Sequence, residues 1–89
     1  MARTLVKGNE ISLPITAGAG TSFSEATVVR LYNSDTNSHV VTVQETAGGT
    51  GIGSFTIPAG HVEFLEKNST YTVFSDSATV LGAKVGFTA

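Results

Sequence analysis

No cysteine occurs in the 89 residues, so neither a disulfide framework nor a thiolate site is available. Tryptophan is absent too, and charged residues make up only 13% of the chain, against roughly 25% in a typical soluble protein. Five scattered basic residues and a net charge of -2 form no patch that could neutralise a phosphate backbone, which argues against nucleic acid as a partner. No run approaches the ~20 apolar residues of a membrane helix. The opening Met1-Ala-Arg-Thr-Leu-Val-Lys-Gly8 is too poor in apolar residues for a secretory signal. The expectation is a soluble protein made in the cytoplasm, with Asn68-Ser69-Thr70 a turn rather than a glycosylation acceptor.

What is present is Thr, Ser, Asn and Gly, which must build most of the polar surface. A surface of this kind repels neighbours weakly and suits packing against other proteins. A chain this short makes one domain and buries roughly 60% of its unfolded surface. With no disulfide to add, association with copies or partners is the expected source of extra stability.

Helical periodicity is hard to find, whereas period-two alternation and β-branched residues recur between clusters of Gly, Asn, Asp, Ser and Pro. Seven short strands are predicted: 10–16, 26–33, 39–46, 52–57, 61–66, 71–74 and 79–88. In the first, Ile11, Leu13 and Ile15 share a face, and Pro14, which has no amide to donate, marks an edge strand or a bulge. Val29 and Leu31 in the second and Val41 and Val43 in the third are expected to face inward. Leu81, Ala83, Val85 and Phe87 form one face of the last strand, with Gly82, Lys84 and Gly86 on the other. The fold class that follows is an all-β, small antiparallel sandwich, with a barrel-like closure left open. Residues 1–8 carry no strand pattern of their own length and are expected to be an arm that orders on contact. Residues 9–89 make the single domain.

None of the candidate sites reads as catalytic. Gly48-Gly49-Thr50-Gly51 lacks the following helix and nearby lysine of a phosphate-binding loop and reads as a hairpin. His39 and His61 are the only histidines and lie outside any metal-ligand spacing, so each is expected to cap a turn or face solvent. Asp35-Thr36-Asn37 fails the calcium-loop pattern, with Val40 where a glycine should stand, and reads as an Asx turn. There is no nucleophile elbow. No catalytic, metal or cofactor residue is assigned, and the protein is expected not to be an enzyme. Pro58-Ala59-Gly60 is a type II turn. Glu66, followed by Lys67, is expected to point inward if Val62 and Phe64 are core, and to fix the Asn68-Ser69-Thr70 turn.

Three segments carry a family resemblance: Val29-Arg30-Leu31-Tyr32-Asn33, then His39-Val40-Val41-Thr42-Val43, then Ile57-Pro58-Ala59-Gly60 with Phe64-Leu65-Glu66-Lys67. Across 26–88 the chain resembles small β-sandwich virion proteins of tailed bacteriophages, those of marine and cyanobacterial phages in particular. The resemblance implies a structural component of the virion, made in the host cytoplasm. For a lone small domain its most natural form is a capsid decoration or cement protein bound to the major capsid protein. Self-association is expected, as is a capsid contact through Arg3, Thr4, Leu5, Val6 and Lys7 acting as an added strand. A tail, neck or head-fibre subunit, or a carbohydrate-binding module, remains as an alternative. The last is disfavoured because Tyr32 and Tyr71 are the only amphipathic aromatics.

Overall fold

Val80–Thr88 is the longest apolar alternation in the chain and becomes the strand around which the molecule is built. In the computed structural model, which describes residues 3–88, the strands in chain order are β1 (Arg3–Val6), β2 (Ile11–Ser12), β3 (Val28–Asn33), β4 (His39–Gln44), β5 (Gly51–Ile57), β6 (Val62–Glu66), β7 (Thr72–Ser75) and β8 (Val80–Thr88). A short 3₁₀ turn covers Ala17–Ala19.

The strands form two antiparallel sheets that do not close into a barrel. The larger runs β1–β8–β3–β6, with β2 beside β1 on the same edge of β8. The smaller runs β5–β4–β7 and is prolonged by an isolated bridge from Thr21 to Val73. All the predicted strands have a counterpart, although the first shrinks to two residues. The eighth strand is β1, in the segment expected as an arm.

That segment is placed because β8 outruns β2 on the edge away from β3. β2 pairs only with Leu81 and Gly82, and β1 takes the residues further along that edge, Leu5 opposite Gly86 and Val6 opposite Val85. Lys7 N–H prolongs the ladder to the Lys84 carbonyl at 2.9 Å. Gly86 leaves room for the Lys7 stem, since a Cβ there would sit 3.0 Å from Lys7 Cε.

The core joins Leu13, Phe23, Ala26, Val29, Leu31, Val41, Ile57, Val73 and Val80, with Phe55 and Leu65 packed against it. Burying each larger aliphatic side chain here stabilises by roughly 1.5–3 kcal/mol. Val29, Leu31, Val41 and Val43 face inward as the alternation requires. The first strand departs from its pattern. Leu13 is buried but Ile11 and Ile15 are exposed, because the chain leaves the large sheet there. Leu13 N–H bonds the Val80 carbonyl, while the Pro14 carbonyl accepts from Ser75 in the small sheet. Pro14, without an amide, sits where the ladder changes partner.

The inward face of β8 is the glycine face. Leu31 stands opposite Gly82 and Asn33 opposite Val80, so these four share the core side. A Cβ on Gly82 would lie 2.6 Å from Phe23 Cζ and 3.0 Å from Leu13 Cδ1, so those two side chains fill the space the glycine leaves. Phe23 reaches this position from an unusual backbone. Phe23, Ser24 and Glu25 have φ of 55°, 55° and 58°, three successive non-glycine residues in the left-handed region. The turn is held by Ser22 Oγ accepting from Glu25 N–H, Thr21 Oγ1 accepting from Phe23 N–H, and the Ser22 carbonyl accepting from Ala26 N–H.

Candidate functional site

With the core on the glycine side of β8, the other side of the large sheet is its outer face. Register sets its composition. Val85 stands opposite Val6, Ala83 opposite Arg30, Leu81 opposite Tyr32, and across β3, Arg30 opposite Phe64 and Tyr32 opposite Val62. These residues share one side because directly paired residues in an antiparallel sheet do. The face is therefore mostly apolar across all of its strands, and among the described residues no further layer covers it, although Val85 and Ala83 are buried by their neighbours within the face. Val6 is 71% exposed, Phe64 46%, Phe87 48% and Val62 37%. Phe64 and Phe87 meet edge to face with ring centroids 5.1 Å apart.

One ion pair crosses the apolar surface. Arg30 Nη1 donates to Glu10 Oε2 at 3.3 Å, reaching across β8 from β3 to the segment before β2. Beneath this bridge lies Ala83, which is buried although it faces outward.

The inner sides of the sheet edges β5 and β6 leave a second feature, an apolar cleft of about 300 Å³ lined by Val43, Ile52, Phe55, Leu65, Lys67 and Tyr71 among others. Its potential charges are Glu66 and Lys67, and the lysine is already engaged. Lys67 Nζ donates to the carbonyl oxygens of Ala26 at 2.7 Å and Ser22 at 3.0 Å, with those of Asn68 and Ser69 at 3.3 and 3.5 Å. Burial, with the Lys84 ammonium adding to it, holds the Lys67 amine below the ordinary lysine range.

The lock on the 67–70 turn is thus Lys67 and not Glu66. Val62 and Phe64 lie on the outer face, so Glu66, which alternates with them, points outward and is exposed. Leu65 is the residue of β6 that packs on the core. Lys84 Nζ adds a bond to the Ser24 carbonyl at 3.0 Å, so two lysines hold the left-handed turn by its carbonyls. Pro58 and Gly60 sit as expected, with His61 N–H bonding the Pro58 carbonyl at 3.2 Å and Gly60 at φ 71°. Gly48, at φ 73°, serves the β4–β5 hairpin turn.

His39 lies between two carboxylates. Its Nε2 is 2.6 Å from Asp35 Oδ2 and its Nδ1 2.9 Å from Asp76 Oδ1. The hydrogen bond to Asp35, together with the charge of Asp76, raises the imidazole pKa, and the same bond lowers that of Asp35. Both ring nitrogens are occupied, so His39 ties the 33–37 turn to the turn after β7. The Asx bond of that turn comes from Asn33, whose Oδ1 accepts from Asp35 N–H at 3.0 Å, rather than from Asp35, whose Oδ1 accepts from the adjacent Thr36 N–H at 2.7 Å. His61 is exposed on the far side of the Pro58 turn.

Arg3, Thr4, Leu5, Val6 and Lys7 are all exposed, and the outer edge of β1 has no strand against it among the described residues. Among those residues no group of three or more His, Asp or Glu could hold a metal ion, and no helix is long and apolar enough to cross a membrane. Comparison with known protein families, with curated proteins and with solved structures finds no match.

The outer face was not assigned from sequence as a site. Its signal was present in β8. A strand with glycine, lysine and glycine on one side and Leu81, Ala83, Val85 and Phe87 on the other invites the bulkier side to be taken as core, until the Phe23 ring is seen to occupy the glycine side.

Proposed function

We propose that this protein is a non-enzymatic structural component of a phage virion, a capsid decoration protein that binds the assembled head and stabilises it. The observation that carries the reading is the uncovered outer face of the large sheet. Soluble monomers rarely leave contiguous apolar surface of this extent exposed, and such patches mark association with other proteins. The resemblance of the segments 29–33, 39–43, 57–60 and 64–67 to tailed-phage virion proteins supplies the biological setting, with the major capsid protein as partner and the virion as location. The low charge and Thr-rich exterior agree with it.

The mechanism is linkage. A domain that binds only the assembled shell shifts the equilibrium toward that shell, and many copies on one lattice make weak individual contacts count together. In this reading Arg3–Val6 offers its free edge to a strand of the capsid protein, with the outer face available for self-association.

The test is co-sedimentation of the purified protein with empty heads, followed by electron microscopy. Decoration requires density on the head lattice and an increase in the temperature at which heads break. Density confined to tail, neck or fibres moves the protein to another virion station, and absence from particles overturns the reading.

A further inference from the structure

We infer that the outer face of the large sheet is covered by a second copy of this chain, in a two-fold, face-to-face dimer centred near Ala83. The inference deepens the decoration reading by naming what the exposed face binds.

Three observations single out a second copy. The first is charge. The face carries one cation and one anion side by side, Arg30 and Glu10, 3.3 Å apart. Rotated by 180° onto itself, such a pair sets each guanidinium against the other copy's carboxylate, so the pattern is its own complement. The two ions are each more than a third exposed within one chain, which leaves them free to take on such partners.

The second is shape. Strands carry a fixed right-handed twist, and two identical sheets meet with matched twist at about -30° and about 10 Å apart. A second copy brings that curvature with it. An axis parallel to β8, which the charge pairing requires, brings the Phe64–Phe87 pair of one copy toward Val6 of the other, so the aromatic ridge meets apolar surface rather than a like ridge.

The third is size. Four strand columns at ~4.8 Å spacing, with side chains at both margins, and principal strands of four to nine residues at ~3.3 Å per residue give a footprint of roughly 20 by 25 Å. Side-chain relief adds to this projected area, which brings it to the small end of stable interfaces, about 600 Å² per partner.

Sedimentation velocity on the whole chain over a dilution series tests the inference. The unaltered protein is expected to be a concentration-dependent dimer. Phe64→Lys is expected to weaken self-association about ten- to a hundredfold, as are Arg30→Glu and Glu10→Arg, each of which places like charges opposite one another. Phe64 and Glu10 are exposed and Arg30 is half-buried with its charged end in solvent, so circular dichroism is expected to be unchanged. Mixing the last two variants gives the decisive reading. One chain presents two carboxylates and the other two guanidinium groups, so the mixture dimerises where each alone does not. A monomeric unaltered protein, a Phe64→Lys variant that dimerises as before, or a mixture that stays monomeric overturns the dimer. The decoration reading fails separately. A dimer that ignores empty heads sinks that reading and leaves the face assignment standing, whereas a monomer that decorates heads does the reverse.

Discussion

The Lys67 ammonium donates to the Ala26 carbonyl at 2.7 Å and so joins the end of β6 to the left-handed turn that precedes β3. Lys67 is 7% exposed and its partners are carbonyls rather than carboxylates. The bond is strong because the donor is charged, and the carbonyls it serves have been taken out of water.

Lys67→Met is therefore expected to destabilise the fold by about 1–3 kcal/mol, the cost of leaving buried carbonyls without a donor. Urea denaturation measures it. A variant as stable as the parent would mean that water replaces the ammonium and that the turn does not depend on it.

The turn itself stores backbone strain, since each L-residue in the left-handed region costs roughly 1–2 kcal/mol. Ser24 points its side chain to solvent, so Ser24→Gly is expected to relieve strain without loss of packing. The net gain is about 0.5 kcal/mol after the greater freedom of glycine in the unfolded chain is subtracted. A thermal melt that falls instead of rising would show that the turn is not strained at this position.

Two glycines give opposite expectations. Gly82→Ala forces a methyl group into Phe23 and Leu13 and should cost about 1–3 kcal/mol. Gly53 in β5 has nothing within 4 Å of an added Cβ, so Gly53→Ala should be neutral or stabilise by about 0.5 kcal/mol by removing backbone freedom. Equal effects in a chemical melt would refute the assignment of the glycine side of β8 to the core.

The Asp35–His39–Asp76 clamp gives a pH signature. The His39 pKa is raised above 6.5, so its contribution is complete below 6.5 and is lost as pH rises through the higher folded value. The Asp35 pKa is lowered below 3.8, so its contribution is present above 3.8 and is lost as pH falls through the lower folded value. The clamp thus contributes most between those reference values. Replacing His39 by Gln is expected to flatten the fall in stability above pH 6.5, and NMR titration of the His39 ring should show a midpoint above 6.5. A midpoint at or below 6.5 would remove the clamp.

Much of the sandwich is legible in the alternation. Val29 and Leu31, Val41 and Val43, and the Pro58–Gly60 turn can be placed because each depends on neighbours in sequence. What escapes the sequence depends on distant contacts. Which side of β8 is inward is decided by Phe23, some sixty residues away, and Phe23 can reach Gly82 only through a left-handed turn that no propensity favours in Phe-Ser-Glu. The same contact turns Val62 and Phe64 outward and shifts the lock from Glu66 to Lys67. β1 escapes for a related reason. Four residues make no pattern alone, and they become a strand because β8 extends past β2 and presents unpaired backbone on that edge.

The position of β8 also sets a timetable. The strand that holds β1, β2 and β3 together is the last of them to be synthesised, so the large sheet cannot close until residues 80–88 have left the ribosome. Until then Val29 and Leu31 have no wall to pack against on that side, and the nascent chain leaves that apolar surface open.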